Sequence, residues 1–343
     1  MAFRPSRDGT LRLTGIAVGI ALVAVVPFVV PDRYLLRIFT LVGINLIVVT
    51  GLSLLFGYTG QVSLGQASFV GLGAYGSAYA AMHGVPWVLA LACGVVLACA
   101  GGFVLALPSL RLKGHYLAMA TLGFCEIMFV FFDNAEPFTG GADGLQGIPP
   151  ASLGPWRIET PEGSYWLVWA FACLALVLAS NMVARRPGRA LRAIHGSEAG
   201  AAACGIDTVA AKVQVFVVSA GLAGLAGALS AHYIGSISPS SFTLHRSIVY
   251  LAMVALGGFG SLSGSVAAAA LLTMLPFVDA IIPGLPRATA QILQDWEPDI
   301  YGATLILVML FLPRGLSGFA SAAARRIRAL APRPGGARGG ATP

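Results

Sequence analysis

Charge is scarce in this sequence. Only 10% of its 343 residues are Asp, Glu, Lys or Arg, whereas about a quarter of the residues of a typical soluble domain are charged. Apolar residues make up 57% of the chain, and the mean hydropathy is +0.82. Because no water-soluble core could absorb so much apolar surface, the composition excludes a soluble globular protein and indicates a chain that folds in lipid.

Lysine is nearly absent. The two lysines are Lys113, which is followed by Gly114, and Lys212, which is followed by Val213. A P-loop contains Gly-Lys followed by Ser or Thr, so the sequence excludes a P-loop ATPase. No nucleotide cofactor is therefore predicted in this chain.

Histidine is sparse as well. The five histidines are scattered and show no spacing typical of a metal site, so none is predicted. The net charge of +7 comes from basic residues in a few loops and in the C-terminal tail. These are the places where membrane topology requires positive charge. The charge therefore does not indicate a nucleic-acid partner, and the expected surroundings are membrane lipid.

Long apolar runs dominate the chain, and they do not alternate between apolar and polar residues as the strands of a membrane barrel do. Because a membrane-spanning helix needs about 20 apolar residues, the pattern predicts an all-α integral membrane protein, a polytopic bundle of about 8–10 transmembrane helices. The candidate spans are residues 13–30, 34–56, 61–82, 86–107, 115–132, 165–183, 213–234, 246–259, 264–282 and 299–312.

The distribution of basic residues predicts the orientation. Five basic residues lie in the loop 184–212, and six more lie in the tail, whereas the loop 133–164 has one Arg and five acids. Since an excess of Lys and Arg marks cytoplasmic loops, both termini and the loop 184–212 are predicted in the cytosol. Trp87, Trp166 and Trp169 lie near the predicted outer ends of spans, as in an interfacial aromatic belt.

These patterns also divide the chain. Residues 1–12 are predicted as a cytosolic N-terminus, 13–318 as the transmembrane domain and 319–343 as a basic, disordered cytosolic tail. A faint internal echo links Gly71-Leu72 and Ser77-Ala78 to Gly224-Leu225 and Ser230-Ala231. Transporters often contain inverted repeats, so two pseudo-inverted repeats are a possible architecture.

The stretch 57–76 combines polarity with backbone freedom inside an apolar region. It contains six glycines and two glutamines. Small residues four apart let membrane helices approach closely, which explains the glycines but not the amides. Irregular backbone at membrane depth is tolerated only against protein or a water-lined cavity. Two interpretations stay open: the segment only packs, or Gln61, Ser63 and Gln66 line a translocation pathway.

The loop 184–212 is the longest predicted cytosolic connection. Residues 188–194 and 198–204 are predicted as two short helices that are separated at Gly196, the second of them ended by Gly205. A folded helix pair between two spans is typical of a docking element. The alternative, a plain positive-inside topology signal, accounts for the arginines but not for the spacing of Glu198, Ala199 and the glycines that follow.

From about residue 34 to 318 the chain resembles bacterial branched-chain amino acid ABC importer permeases, specifically the M-type of their two membrane subunits. Six segments carry the resemblance, and they occur in the order typical of the family. They are Gly57-Tyr58-Thr59-Gly60-Gln61-Val62-Ser63-Leu64-Gly65-Gln66, Leu110-Arg111-Leu112-Lys113-Gly114-His115-Tyr116, Thr139-Gly140-Gly141-Ala142-Asp143-Gly144-Leu145, the loop that ends Gly205-Ile206-Asp207, Gly257-Gly258-Phe259-Gly260-Ser261-Leu262-Ser263-Gly264 and Leu312-Pro313-Arg314-Gly315-Leu316.

The resemblance implies an importer of leucine, isoleucine and valine in the bacterial cytoplasmic membrane. It would contain two permeases, two ATPases and a periplasmic or lipid-anchored binding protein. Other members of the family take urea, short amides or other amino acids, which stay as alternatives.

The loop 184–212, here named the coupling loop, resembles a degenerate form of the family's Glu-Ala-Ala motif, which contacts the ATPase. Ala202 and Cys204 stand where relatives often have a second acid or a bulky residue, which reduces the polar contact. The residues that this implies for coupling are Arg189, Arg192, Glu198, Ala199, Gly205, Ile206 and Asp207.

Two further features are candidates for the transport path. Glu126 lies within the fifth predicted span, where a carboxylate costs about 2.5–3.5 kcal/mol and should face a partner or a cavity. It is either a helix–helix contact or part of the pathway. The outer loop contains Thr139, Gly140, Gly141, Asp143 and Gly144. By its residues alone this loop is a surface turn, and the family resemblance implies an entrance element.

Two other classes of function remain as more distant alternatives. A secondary transporter usually shows paired ionisable residues inside the membrane, and here Glu126 is the clear candidate. An intramembrane serine protease is suggested superficially by Gly315-Leu316-Ser317-Gly318, but these residues lie just past the last predicted span. The sequence therefore favours a permease without catalysis of its own.

Overall fold

The computed structural model describes residue 27 and residues 32–109, 114–153, 156–258, 260–277, 302–303 and 306–307. In this part of the chain the protein is an α-helical membrane protein. The helices are α1 (Arg33–Leu52), α2 (Gln66–Met82), α3 (Trp87–Ser109), α4 (His115–Asn134), α5 (Glu136–Thr139), α6 (Pro161–Ala184), α7 (Arg186–Gly196), α8 (Glu198–Ala203), α9 (Thr208–Ile234), α10 (Leu244–Gly257) and α11 (Leu262–Met274).

Hydropathy located the membrane helices well. Within the described residues, five helical segments are long and apolar enough to cross a membrane: Arg33–Gly57, Trp87–Pro108, His115–Asn134, Pro161–Ala184 and Thr208–Ile234. The apolar segment Leu262–Phe277 is shorter. The predicted spans 13–30 and 299–312 lie almost wholly outside the described residues, as do the predicted N-terminal and C-terminal segments.

Two predicted starts differ from the structure by five residues. The third predicted span, 61–82, is helical only from Gln66, because residues 60–65 form an irregular segment. The seventh, 213–234, begins earlier, at Thr208, so the last residues of the coupling loop, including Lys212, belong to α9. Asp207 accounts for this early start, since its Oδ1 accepts a hydrogen bond from Ala210 N at 3.0 Å and caps the helix.

The core is a close-packed group formed by α2, α3 and α9. Ala and Gly line the surfaces where these helices meet, and a side chain at Gly73 would overlap the backbone of Gly224, while one at Gly227 would overlap the backbone of Val70. This confirms the prediction that small residues let the helices approach closely. α1 packs beside this group and carries the buried aliphatic side chains of Leu46, Ile47, Val48 and Val49.

α2 and α9 run in the same direction. Gln66 at the start of α2 contacts Ser219, and Ser77 near its end contacts His232. The two segments that echo each other in sequence lie on these parallel neighbours, so the echo reflects their shared small-residue contact. The equivalent helices of an inverted repeat would run in opposite directions, so this pair gives the proposed repeat no support.

Short strands order the connections at the ends of α9 and α6. β1 (Leu145–Gln146) pairs antiparallel with β4 (Ser236–Ile237), which follows α9 directly. β2 (Ser152–Leu153) pairs antiparallel with β3 (Trp156–Arg157), which precedes α6. The long loop after α4 is therefore attached to the C-terminal end of α9.

Candidate coupling site and pathway residues

The coupling loop folds into two short helices, as predicted. α7 buries Gly188, Leu191 and Ile194, which recur every three residues and so lie on one face. Arg189 and Arg192 lie on the opposite face and are exposed. α7 is thus held to the membrane helices by its apolar face, while its basic face is open to a partner.

Gly205 ends α8, as the sequence predicts. Its φ is +79°, a left-handed conformation that suits glycine. Gly205 N donates to Ala202 O at 3.0 Å, and Ile206 N donates to Ala201 O at 3.1 Å. These two bonds form a Schellman motif, so α8 ends sharply and the chain turns at once into α9.

Side-chain contacts also hold α8 in place beside α9. Ser197 caps α8 by accepting a hydrogen bond from Gly200 N at 3.1 Å. Glu198 pairs with Lys212 of α9, with Oε1 and Nζ 2.6 Å apart, and the Lys212 side chain is only 11% exposed. The predicted coupling residue Glu198 therefore joins α8 to α9, while Ala199 and Asp207 are exposed and Ile206 is half-buried.

Lys212 was not predicted as part of the site. The signal was present, because Lys212 is the second of the two lysines in the chain and lies 14 positions after Glu198. Helical spacing within one element could not reveal the pair, since the two residues are on different helices. The turn at Gly205 brings them together.

The coupling loop also contacts the glycine-rich stretch that begins at Gly57. Gly60 has φ +70°, and a Cβ atom placed on it would lie 2.8 Å from His195 Nδ1, at the end of α7. Just before Gly60, α1 ends in a π-helical turn, Ser53–Gly57. The last turn of α7 therefore packs directly against the point where the membrane helix is broken.

The predicted pathway residues occupy two environments. Gln61 is half-buried, whereas Ser63 and Gln66 are completely buried. Gln66 Nε2 lies 3.3 Å from both the backbone O and the Oγ of Ser219. Among the described residues, Gln66 Oε1 and Ser63 Oγ have no hydrogen-bond partner. Gln61 and Ser63 lie in the irregular segment before α2 and not on a helix, which corrects the predicted span.

Hydroxyl groups from neighbouring helices satisfy the backbone at this break. Thr121 Oγ1 on α4 accepts a hydrogen bond from Leu64 N at 2.9 Å. Ser247 Oγ on α10 accepts one from Ala67 N, also at 2.9 Å. These contacts explain why α2 can begin within the apolar part of the protein, and they were not predicted from the sequence.

Glu126 lies apart from Gln61, Ser63 and Gln66. It is exposed on the surface of α4, while its neighbour Cys125 faces inward and lies 3.9 Å from Ser247 Oγ. The carboxylate of Glu126 makes no hydrogen bond or ion pair within the described part of the chain. The structure therefore does not bring the four predicted pathway residues into one cavity.

The predicted entrance loop is tightly folded. Thr139 is buried, and its Oγ1 donates to Ala135 O at 2.9 Å. Gly140, Gly141 and Gly144 all have positive φ, and a side chain at Gly144 would overlap the backbone of Ile237. Asp143 is exposed at the loop surface. The glycines thus serve a compact turn that packs against the strand following α9.

An apolar cavity of about 240 Å³ borders this loop. Thr139 and residues of α2, α3 and α4 line it, among them Tyr75 and Phe132. Tyr75 Oη has no partner among the described residues. Exposed Leu97 and Phe131 also line the cavity, so it opens onto the surface.

His232 joins the loop after α4 to the core, and it was also not predicted from the sequence. Its Nε2 lies 2.8 Å from Ser77 Oγ, and its Nδ1 lies 2.7 Å from Pro149 O. The carbonyl can only accept, so Nδ1 carries a proton. A histidine near the end of an apolar span was the available signal, but its partners belong to distant parts of the chain.

The comparisons with known proteins agree with the helical membrane architecture. The family described as branched-chain amino acid transport system, permease component, matches residues 34–310. The Escherichia coli K12 protein LivM, a high-affinity branched-chain amino acid transport system permease protein, is 32% identical over 338 residues, which cover 91% of this chain and 77% of LivM. No solved structure matches the chain.

Two other relatives extend the comparison. LivH of Escherichia coli K12, also a high-affinity branched-chain amino acid transport system permease protein, is 26% identical and aligns with 79% of this chain and 90% of LivH. A probable LivM of Methanocaldococcus jannaschii is 23% identical, with 67% of each chain aligned. The resemblance inferred from the six sequence segments is confirmed, and the chain belongs to the family of branched-chain amino acid transport system permease components.

Proposed function

We propose that this chain is a transmembrane permease subunit of an ABC importer in the bacterial cytoplasmic membrane, and that it passes leucine, isoleucine and valine into the cytosol. The chain catalyses no reaction. Two ATPase subunits bind ATP and Mg²⁺, a second permease completes the membrane part, and a periplasmic or lipid-anchored binding protein delivers the substrate. The names of LivM and LivH support the substrate class.

The observation that carries this function is the folded coupling loop in a chain without a P-loop. Energy must then arrive by contact with a partner. The exposed side of α7 and α8 offers Arg189, Arg192 and Ala199, while the opposite side is anchored by Leu191 and Ile194. An ATPase that docks on the exposed side would move both helices as one unit.

Among the contacts of α7 and α8 with the rest of the described chain, two lead toward the start of α2. The first runs from His195 to Gly60, where the glycine-rich break begins. The second runs through the Glu198–Lys212 pair to α9. Because the two contacts reach α1 and α9 respectively, a shift of α7 and α8 would change how these helices meet around the start of α2.

Gln61, Ser63 and Gln66 are the proposed pathway residues. In the present conformation Ser63 and Gln66 are sealed within the chain. Their unpaired oxygen atoms support the proposal, since a buried acceptor without a partner is costly and could accept hydrogen bonds when the site opens. The amides would then be wetted by the transport path.

Gly205 gives the principal test. A valine there would be forced into the left-handed conformation at a cost of roughly 1–2 kcal/mol, and it would misdirect the turn into α9. Gly205→Val is expected to abolish hydrolysis stimulated by the binding protein, or to release the ATPases, while the permease still inserts. Hydrolysis and ATPase retention are measured on the purified complex, with Gly196→Ala as a control, because its added Cβ meets no atom within 4 Å. Full stimulated hydrolysis coupled to uptake in Gly205→Val would refute the role of this loop.

The native Cys204 tests the orientation. It is exposed at the end of α8, so a variant that keeps only this cysteine has one reactive site on the coupling loop. In cells that lack the ATPases, an impermeant maleimide is expected to label it only after the membrane is opened. The control is a cysteine at the exposed outer residue Asp143, which should react in intact cells. Rapid labelling of Cys204 in intact cells would invert the proposed topology.

The substrate is tested with the binding protein, the partner that selects it. Calorimetry on the purified binding protein with leucine, isoleucine, valine and urea is expected to show tight binding of the three amino acids only. If the binding protein prefers urea, a short amide or another amino acid, the chain is still an importer permease, but the proposed substrate is wrong. Uptake driven by an ion gradient without ATPases would instead favour a secondary transporter.

A further inference from the structure

The surface of α4 differs from the exposed surfaces of its neighbours. Six residues form a stripe at helical spacing along its outer face, and this group is named the α4 stripe. Its members are Tyr116, Met119, Gly123, Glu126, Ile127 and Val130. Tyr116, Met119 and Ile127 are each 68–69% exposed, so the helix is barely covered by its own chain.

Two members of the stripe do not suit lipid. Glu126 is exposed at the twelfth position of a 20-residue helix, far from either end. Gly123 lies one turn away, and a Cβ atom on it would meet no atom of the described residues within 4 Å. A carboxylate in hydrocarbon is expensive, whereas a bare glycine backbone on a membrane helix allows another helix to approach closely. Both residues point to protein as the neighbour.

The other exposed membrane surfaces lack this combination. α3 exposes Val96 and Val104 and contains no charged residue. α6 exposes Leu174 and Leu178, and its single charged residue is Glu162 in the first turn. These surfaces suit lipid chains. Among the five long apolar helices of the described residues, Glu126 is the one Asp, Glu, Lys or Arg near the middle of a span.

We infer that the α4 stripe is the surface on which a second permease chain of the same family packs. The inference rests on the proposed function, which requires two permeases. The chain is related to both LivM and LivH, so two related permeases form a pseudo-symmetric pair whose contacting surfaces are similar. Gly123 sets the closest approach of the helices, and the partner offers Glu126 a hydrogen-bond donor or a cation. Glu126 then borders the path between the two chains.

The interface is mapped by crosslinking in the intact transporter, expressed with all its subunits. A photoreactive phenylalanine analogue replaces Met119, Ile127 or Val130 in turn, and Val104 or Leu174 as controls on α3 and α6. The stripe positions are expected to give one adduct with the second permease, identified by mass spectrometry, and the controls none. Adducts with the second permease from α3 or α6, and none from the stripe, would overturn the inference.

Substitutions test the two residues that define the stripe. Gly123→Leu is expected to reduce the co-purified second permease at least tenfold, while Ala170→Leu, which enlarges an exposed small residue of α6, leaves it unchanged. Glu126→Leu should reduce it about tenfold and Glu126→Gln by less than threefold, because the amide can still hydrogen-bond. The variant chain must elute as a single folded species.

The outcomes separate the interface from the function itself. Unchanged retention of the second permease in Gly123→Leu and Glu126→Leu overturns the interface and leaves the importer proposal intact. A purified, active transporter that contains one permease chain overturns the proposed function as well, since no partner would then exist for the stripe.

Discussion

α9 and α4 are both long apolar helices, yet the chain uses them in opposite ways. In the most apolar part of α9, 61% of the residues are buried inside the chain, whereas the figure for α4 is 22%. Gly221, Gly224 and Gly227 of α9 press against atoms of neighbouring helices, while a Cβ on Gly123 of α4 would meet no atom of the described residues within 4 Å. Polar Ser219 and His232 of α9 have partners within the chain, but exposed Glu126 has none among the described residues.

This difference shows that hydropathy alone does not separate a core helix from an interface helix. Both have enough apolar residues to span a membrane. The two helices differ in what their small and polar residues contact. In α9 these residues are satisfied by α2 and α3, so the helix holds the permease together, and in α4 they remain available to another chain.

The largest effect is expected at the crossing of α9 with α2. Gly227→Ala places a methyl group where the backbone O of Val70 lies, so the helices must separate. Overpacking of this kind costs about 1–3 kcal/mol. The melting temperature of the purified permease in detergent should fall by several degrees.

The matched control is Gly123→Ala on α4, which adds the same methyl group into open space. Its stability should change by about 0.5 kcal/mol or less. If both variants melt alike, or if Gly123→Ala is the less stable one, the contrast between a core helix and an interface helix fails.

An intermediate effect is expected for Gln66→Leu at the same crossing. Leucine removes two long hydrogen bonds to Ser219 and also removes the unpaired Oε1, so the stability cost should stay near 0.5–1.5 kcal/mol, roughly that of one hydrogen bond. If Gln66 lines the path, uptake in proteoliposomes should fall well below what this small cost explains, with the complex still assembled.

Ser219→Ala is the control for this prediction, because it removes the hydroxyl partner but keeps the amide of Gln66. It should lower stability by a similar amount and retain uptake. Normal uptake by an assembled but less stable Gln66→Leu complex would show that Gln66 only packs.

Features that depend on residues close together in sequence could be predicted from the sequence. The helix pair in the coupling loop and the end of the second helix at Gly205 followed from spacing and helix-end chemistry, and both are present. The irregular start of α2 did not follow, because Thr121 and Ser247 on other helices satisfy its backbone. A sequence window around Gln66 contains no sign of either.

Residues with two possible environments were the hardest to predict. Trp87 and Trp169 fit an interfacial belt by position, but both are buried, and Trp169 Nε1 donates to Phe39 O at 3.2 Å. Trp166 is 43% exposed, as a belt residue should be. The exposure of Glu126 could not be predicted either, because its neighbours in sequence are apolar on every face of the helix. Tertiary packing decides such positions.

The smallest stability effect is expected where the coupling loop joins α9. The Glu198–Lys212 pair lies at the helix end, and the Glu198 side chain is 36% exposed, so solvent screens it and its loss should cost about 1 kcal/mol or less. Its effect on transport should be larger than its effect on stability, because the pair joins α8 directly to the membrane helix α9. Lys212→Met should therefore lower the number of substrate molecules imported per ATP hydrolysed, with the melting temperature nearly unchanged.

The charge-swapped double variant, Glu198→Lys with Lys212→Glu, should recover part of the coupling, and retention of the second permease should not change in either protein, since α4 is not involved. A coupling ratio that stays at the wild-type value in Lys212→Met would show that this pair does not transmit the movement of the coupling loop. The contact between His195 and Gly60 and the buried face of α7 would then have to transmit it.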